Sequence, residues 1–251
     1  TKKKIIKWFW ILFSAPVLLV MTLIGLVWAF ADIPSFEELE NPDSNLATQV
    51  IADDGSTILS TFHIENRSYV SYDELSPNLV NAAVATEDSR FYRHSGIDFE
   101  SLARVLVKTV LGGSSSQGGG STITQQLAKT LYPREDMGGS KFKMVWTKLK
   151  EWVTAVKLER SYTKDEIMNM YMNQIFFGSN AYGIKAAAQT FFGKSPIDLT
   201  VEEAATLVGM VNKPTRYNPA LNPDKSLARR NLVISRMEQN GFLTKEEADS
   251  I

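Results

Sequence analysis

Cysteine is absent from all 251 residues. That excludes disulfide staples, thiol nucleophiles and cysteine metal sites, and it fits an oxidising exterior reached without bridges. An excess of one charge is missing too. Twenty-seven Lys and Arg face 28 Asp and Glu, a formal net charge of −1. That balance argues against a nucleic-acid partner. No internal repeat is visible, and one low-complexity piece occurs, GGSSSQGGG over 112–120. The remaining absence is local: no charged residue lies between Trp8 and Ala31, about 24 residues in which a helix would extend roughly 36 Å.

A helix of that length crosses a hydrocarbon core of about 30 Å. Trp8, Trp10 and Trp28 stand near its ends, as interfacial aromatics do. Lys2, Lys3, Lys4 and Lys7 precede it and Asp32 follows, which predicts a single-pass anchor with a cytoplasmic N-terminus and the rest outside. A cleaved signal peptide is the competing reading. The apolar run is too long for a usual signal core, and Ala29-Phe30-Ala31 is a weak cleavage match. The expected organisation is a basic tail over 1–7, an anchor over 8–31, a linker and β-hairpin region over 32–72, and one domain over 73–251. With 44% hydrophobic residues, that domain can bury a real core.

Within 48–72 the pattern predicts strands. Thr48 to Ala52 and Thr57 to Phe62 flank Asp54-Gly55, a hairpin turn signal. From Ser76 the chain reads as helical. Ser76-Pro77 is an N-cap followed by proline, and Thr122, Thr163, Thr200 and Thr244 each precede Gln or Glu at capping-box spacing. Gly178, Gly193 and Gly241 read as stops. Phe142, Val145, Trp146, Leu149, Val153 and Val156 are spaced as the core-facing stripe of one long helix. The start at Thr244 leaves barely a turn before Ile251, which reads as the edge either of a truncated chain or of the ordered region.

Three polar clusters carry chemistry. The first is Glu87-Asp88-Ser89-Arg90-Phe91-Tyr92-Arg93-His94-Ser95-Gly96. Leu79, Ala83 and Glu87 are four apart, so Glu87 falls on its helix's inward stripe, suited to acid–base work. The blander reading pairs Glu87 with Arg90 or Arg93 on the surface. His94 reads as a pH-active group or a structural hydrogen-bonding one. The second cluster is Gly119-Gly120-Ser121-Thr122-Ile123-Thr124-Gln125-Gln126, where Ser121, Gln125 and Lys129 share one face. A hydroxyl, an amide and a cation beside a helix N-terminus suit sugar hydroxyls and a phosphate; alone, the segment is a flexible loop and a cap. The third is Lys148-Leu149-Lys150-Glu151, which holds a second carboxylate three residues from a cation. Two carboxylates with cations between them are what chemistry at a sugar–phosphate bond requires.

In order and spacing these clusters resemble the peptidoglycan glycosyltransferases, glycosyltransferase family 51, found in class A penicillin-binding proteins and monofunctional transglycosylases. EDSRFYRHSG resembles the first motif of that family, GGSTITQQLAK the second and KLKE the third. Asn173 to Gly178 with Ala181 to Ile184 resembles the fourth, and Glu202 through Lys213-Pro214 and Asn218-Pro219 the fifth. The resemblance covers roughly residues 35–251. It implies a mainly α fold: a lysozyme-like glycosyltransferase domain with a short β-hairpin region and one N-terminal transmembrane helix. The implied substrates are lipid II and the growing glycan chain, on the outer face of the bacterial cytoplasmic membrane, with other cell-wall synthesis proteins as further partners.

By the same resemblance Glu87 takes the proton of the acceptor 4-hydroxyl and Glu151 is the second catalytic carboxylate. Lys129 neutralises the donor pyrophosphate with Arg134 as its helper. Asp88, Phe91, His94, Gly120, Ser121, Thr122, Gln125, Gln126, Lys148, Asn180 and Tyr182 complete the implied substrate site. Some family members place a divalent cation, Mg or Mn, at the pyrophosphate; no dedicated metal site is legible here. Thr147 departs from the arginine usual at that position, leaving Lys141, Lys143 or Arg134 to supply the charge. Ser161-x-x-Lys164 and Ser140-x-x-Lys143 match a transpeptidase nucleophile pattern, but no Lys-Thr-Gly follows. A lysozyme-like hydrolase would gain nothing from clustered lysines, and a mere scaffold would need neither glutamate.

Overall fold

The computed structural model describes residues 2–30, 48–51, 58–62, 66–67, 69–112, 120–131 and 141–251, and every structural statement below concerns these. Helix α1, Lys2–Phe30, runs unbroken for 29 residues through the charge-free stretch. Among the described residues no helix is long and apolar enough to cross a membrane; several α1 side chains lie outside them. The predicted linker over 32–47 falls outside as well.

The two expected strands pair; the predicted turn at Asp54-Gly55 lies outside the described residues. Strand β1, Thr48–Ile51, pairs antiparallel with β2, Ile58–Phe62, with Thr48 opposite Phe62. A second sheet was not foreseen. Strand β3, Asn66–Arg67, pairs parallel with β5, Ala181–Tyr182, which pairs antiparallel with β4, Phe176–Gly178. Ser179 and Asn180 turn between β4 and β5 with φ of 49° and 58°. Gly178 therefore serves this turn and not a helix end.

The rest is helical. Helix α2, Pro77–Glu87, is capped by the Ser76 hydroxyl and carries Pro at its first position. It is buried nearly all round through Leu79, Val80, Ala82, Ala83, Val84 and Ala85, as befits a central helix. It packs against α8, Val201–Val211, and α9, Pro223–Gln239. Ala82 and Ala83 on one side, and Ala204 and Ala205 on the other, let the backbones approach closely. Helix α3, Phe99–Gly112, follows, then α4, Ile123–Leu131, which packs on α5, Lys141–Ser161, and α6, Lys164–Gln174. Helix α7, Ile184–Phe192, ends at Gly193 in the left-handed region, and the short α10, Lys245–Ser250, follows α9. Thr163, Thr200 and Thr244 all form full capping boxes.

Helix α5 overturns one expectation. Of the predicted stripe, Leu149 is buried, Trp146, Val153 and Val156 are half-buried, and Val145 is exposed; the Phe142 side chain is outside the described set. The face turned inward carries Glu151, Thr154, Ala155 and Leu158. Small Thr and Ala let the turn at Gly96 lie directly on the helix. A Cβ on Gly96 would stand 2.9 Å from the carbonyl of Ala155, and its φ is +87°. Close backbone approach, together with a partner for the carboxylate, outweighed the apolar periodicity.

Candidate active site

Cluster one begins where α2 stops. Glu87 is its last residue and half-buried, one turn beyond buried Ala83 and two beyond Leu79. Asp88 then leaves the helix with φ −158° and ψ 76° and turns its carboxylate back into the protein, 6% exposed. One oxygen accepts the N–H of Ile123 at 3.1 Å, so Asp88 caps α4 from a distant segment, with its charge at the positive helix end. His94 Nδ1 accepts the Gly96 N–H at 3.2 Å, which puts the ring proton on Nε2, 3.0 Å from both Asp88 oxygens. The role seen for His94 is structural.

Gly96 joins clusters one and two. Its carbonyl accepts the Thr122 hydroxyl at 2.8 Å and the Gln125 amide at 3.0 Å. Lys148 joins clusters two and three. Its Nζ donates to Ser121 Oγ at 2.9 Å, Gln125 Oε1 at 3.1 Å and Glu151 Oε2 at 2.9 Å, so all three ammonium protons are placed. Glu151 is 7% exposed beside it. Glu87 itself accepts from Gln126 Nε2 at 2.9 Å.

The surface pair anticipated for Glu87 is absent. Arg90 turns away to chelate Asp98 with two nitrogens, at 2.7 to 3.0 Å, and also reaches Glu100 and Ser101. Burial alone would raise the Asp98 carboxyl, but the Ser101 N–H and hydroxyl and the Arg90 guanidinium bring it down to about 2. Arg93 is exposed.

Glu87 and Glu151 line one cleft of about 1030 Å³. Of the residues expected at a substrate site, Asp88, Gly120, Ser121, Thr122, Gln125, Gln126, Lys129 and Lys148 line it too. Phe91 does not: it is 0% exposed in the core, with the Lys164 ammonium 4.3 Å from its ring centre. His94 stands behind Asp88. Asn180 is exposed in the β4–β5 turn, and Tyr182 packs on Phe176 at 4.6 Å between ring centres, both away from the cleft lining. Arg134 and the Lys141 side chain are outside the described residues, and Lys143 is exposed and off the lining. Of the transpeptidase-like pairs, Ser161 ends α5 and Lys164 is tied to Glu159 and the His94 carbonyl, while Ser140 is outside the described residues.

Four lining cations were missed. Arg104 from α3, Lys213 after α8, and Arg229 and Arg236 from α9 all line the cleft. Arg236 donates to the Thr86 carbonyl at 2.8 Å, one residue before Glu87. Burial and then neighbouring Arg229 pull its guanidinium down, and the Glu87 charge pulls it up. Arg229 and Arg236 are seven apart on one helix, a two-turn spacing that offered a faint signal. Tyr171, 2% exposed behind Gln126, was missed as well.

Fold and cleft together define a mainly helical domain that gathers two carboxylates and a ring of cations, the arrangement that glycosyl transfer at a phosphate leaving group uses. A family model described as Transglycosylase matches residues 54–238. Penicillin-binding protein 1A of Aquifex aeolicus is 40% identical over 230 residues, which is 92% of this chain and 31% of that protein. Penicillin-binding protein 1A/1B of Bacillus subtilis is 41% identical over 94% of this chain and 25% of its own length. Penicillin-binding protein 1A of Escherichia coli is 35% identical over 98% and 28%. A crystal structure of penicillin-binding protein 1A from Haemophilus influenzae aligns with 82% of this chain and 20% of its own, at 25% identity and a TM-score of 0.44. The chain belongs to the transglycosylase family, and it spans about a quarter to a third of the length of these curated relatives.

Proposed function

We propose that this chain is a peptidoglycan glycosyltransferase that polymerises lipid II into glycan strands. Glu87 is the general base that takes the proton of the acceptor 4-hydroxyl as it attacks the anomeric carbon of the donor. The observation that carries this is the setting of Glu87, held by a single amide inside a cleft whose other charges are mostly cationic. Six cations, Arg104, Lys129, Lys148, Lys213, Arg229 and Arg236, line it against the four carboxylates Glu87, Asp88, Asp98 and Glu151. A pyrophosphate leaving group needs such cations; a hydrolase acting on a bridging oxygen does not. Lys129, exposed on the lining, is the lead donor-phosphate ligand, with Arg134 as helper. Glu151 is the second carboxylate, kept in place by Lys148. The resemblance to the family implies a lysozyme-like fold, and the two-carboxylate helical cleft supports that reading.

Among the described residues no group of three His, Cys, Asp or Glu is placed to hold a metal ion.

The membrane completes the reading. Residues 8–31 anchor the chain in the cytoplasmic membrane with the N-terminus inside and the domain outside, supported by the unbroken helix and the flanking lysines. Helix α3 suits the outer leaflet. None of its described residues is buried: Phe99 is 71% and Val107 53% exposed, and Leu102 and Val105 are half-buried. A polyprenyl-tailed substrate stays in the bilayer, so the site must come down to it.

The test is Glu87→Gln in detergent with lipid II. Loss of a general base lowers turnover about 10²- to 10⁴-fold, with the melting temperature unchanged. Polymerisation near the wild-type rate would refute the assignment.

A further inference from the structure

The carboxylate of Glu87 is tied to the core through one cleft-lining amide. Its hydrogen bond comes from Gln126 Nε2 at 2.9 Å, and the other end of that amide, Oε1, accepts the hydroxyl of Tyr171 at 3.1 Å. Three helices meet in this chain: Glu87 ends α2, Gln126 lies in α4 and Tyr171 in α6. Gln126 lines the cleft, whereas Tyr171 does not and is 2% exposed among core residues. A buried hydroxyl is costly without a partner, and Gln126 is the one recorded for it. Burial first, and then the charges of Glu87 and Asp88, push the phenol well above the ordinary tyrosine range, so it stays a neutral donor.

We propose that Tyr171 is a positioning residue for the reaction: through Gln126 it fixes the direction in which the Glu87 carboxylate faces the acceptor hydroxyl. The reasoning is geometric. A glutamate at the end of a helix has three side-chain torsions and few neighbours to restrain them. An amide that is free at its far end restrains it poorly, because it swings with its own side chain. Anchoring that far end to a phenol rigid in the core converts a mobile contact into a fixed one. Pre-set geometry of this kind acts on the rate of the chemical step and leaves ground-state binding alone. The inference rests on the reading of Glu87 as the base.

The experiment compares lipid II polymerisation by the chain, in detergent, for Tyr171→Phe, Gln126→Met, the double variant and Glu87→Gln. Tyr171→Phe removes one oxygen and keeps the packed ring. It is expected to lower kcat by roughly 10-fold with KM within about twofold, the pattern of an interaction felt in the transition state. Gln126→Met is expected to lose more, and the double variant no more than Gln126→Met, because residues acting through one contact do not add. Wild-type kcat in Tyr171→Phe, a change in KM alone, or losses that multiply in the double variant would each overturn the relay. If Tyr171→Phe melts well below the wild type, Gln126→Met decides alone, by whether kcat falls while KM holds. An inactive Glu87→Gln beside an unimpaired Tyr171→Phe sinks the relay only; an active Glu87→Gln sinks the base itself.

Discussion

The two walls of the cleft use charge in opposite ways. On the wall made by α2, α4 and α5, most charged groups are consumed within the protein, Lys129 excepted. Lys148 spreads its three protons over Ser121, Gln125 and Glu151, Asp88 caps α4, and just outside it Arg90 is committed to Asp98. On the wall made by α9 and the end of α8, Arg236 and Arg229 donate to the backbone carbonyls of Thr86 and Gly209. Among the described residues neither forms an ion pair. Paired charge has fixed geometry and serves as framework. Charge that is anchored but not neutralised keeps its field for an anionic ligand.

That contrast can be broken by mutation. Lys148→Met should have the largest effect on stability, because it removes a partner from a carboxylate that is 7% exposed. Breaking a fully buried pair costs about 3–5 kcal/mol; Lys148 is 33% exposed, so about 1–3 kcal/mol is expected here. Chemical denaturation measures it, and a variant as stable as the wild type would show that the first wall is not framework. At the lining cations that form no ion pair among the described residues, Arg236 on α9 and Lys129 on α4, the pattern should invert. Arg236→Met loses a hydrogen bond to a carbonyl, about 1 kcal/mol, and Lys129→Ala changes stability by less than about 0.5 kcal/mol. Both should weaken binding of moenomycin-like phosphoglycolipids several-fold in a titration, more steeply at low salt. Unchanged affinity in both would move the phosphate site elsewhere.

The smallest effect expected is on pH dependence. Asp98 is held at about 2 in the fold, against about 3.9 in an unfolded chain. Its contribution is therefore full above pH 4 and lost as the pH falls through 2. Asp98→Asn should flatten the acid limb of the stability curve within that window only; an unchanged limb would mean the Arg90 chelate is not felt.

Much of the framework was legible in the sequence because it is local. The capping boxes at Thr163, Thr200 and Thr244 depend on residues three apart, as does the Lys148–Glu151 pair, and the inward stripe of Glu87 on residues four apart. Thr122 shows where local reasoning stops. Its hydroxyl accepts the Gln125 N–H as a cap should, but the Gln125 side chain leaves the box for the Gly96 carbonyl and Lys148. A local rule set aside in this way marks a site.

What the amino-acid order determined by itself was the set of elements: the charge-free helix, the strand pair 48–51 and 58–62, the helical domain, and two carboxylates with their nearest cations, each fixed by interactions within a few residues. Tertiary structure alone decided the rest. It turned the buried face of α5 toward Glu151 and Ala155, sent Phe91 into the core, and paired residues 66–67 with 181–182. It also brought Arg229 and Arg236 to a glutamate some 140 residues earlier in the chain, and set Tyr171 behind it. Such contacts depend on how helices cross, and helix crossing is chosen by the packing of the whole core, which no short-range spacing records.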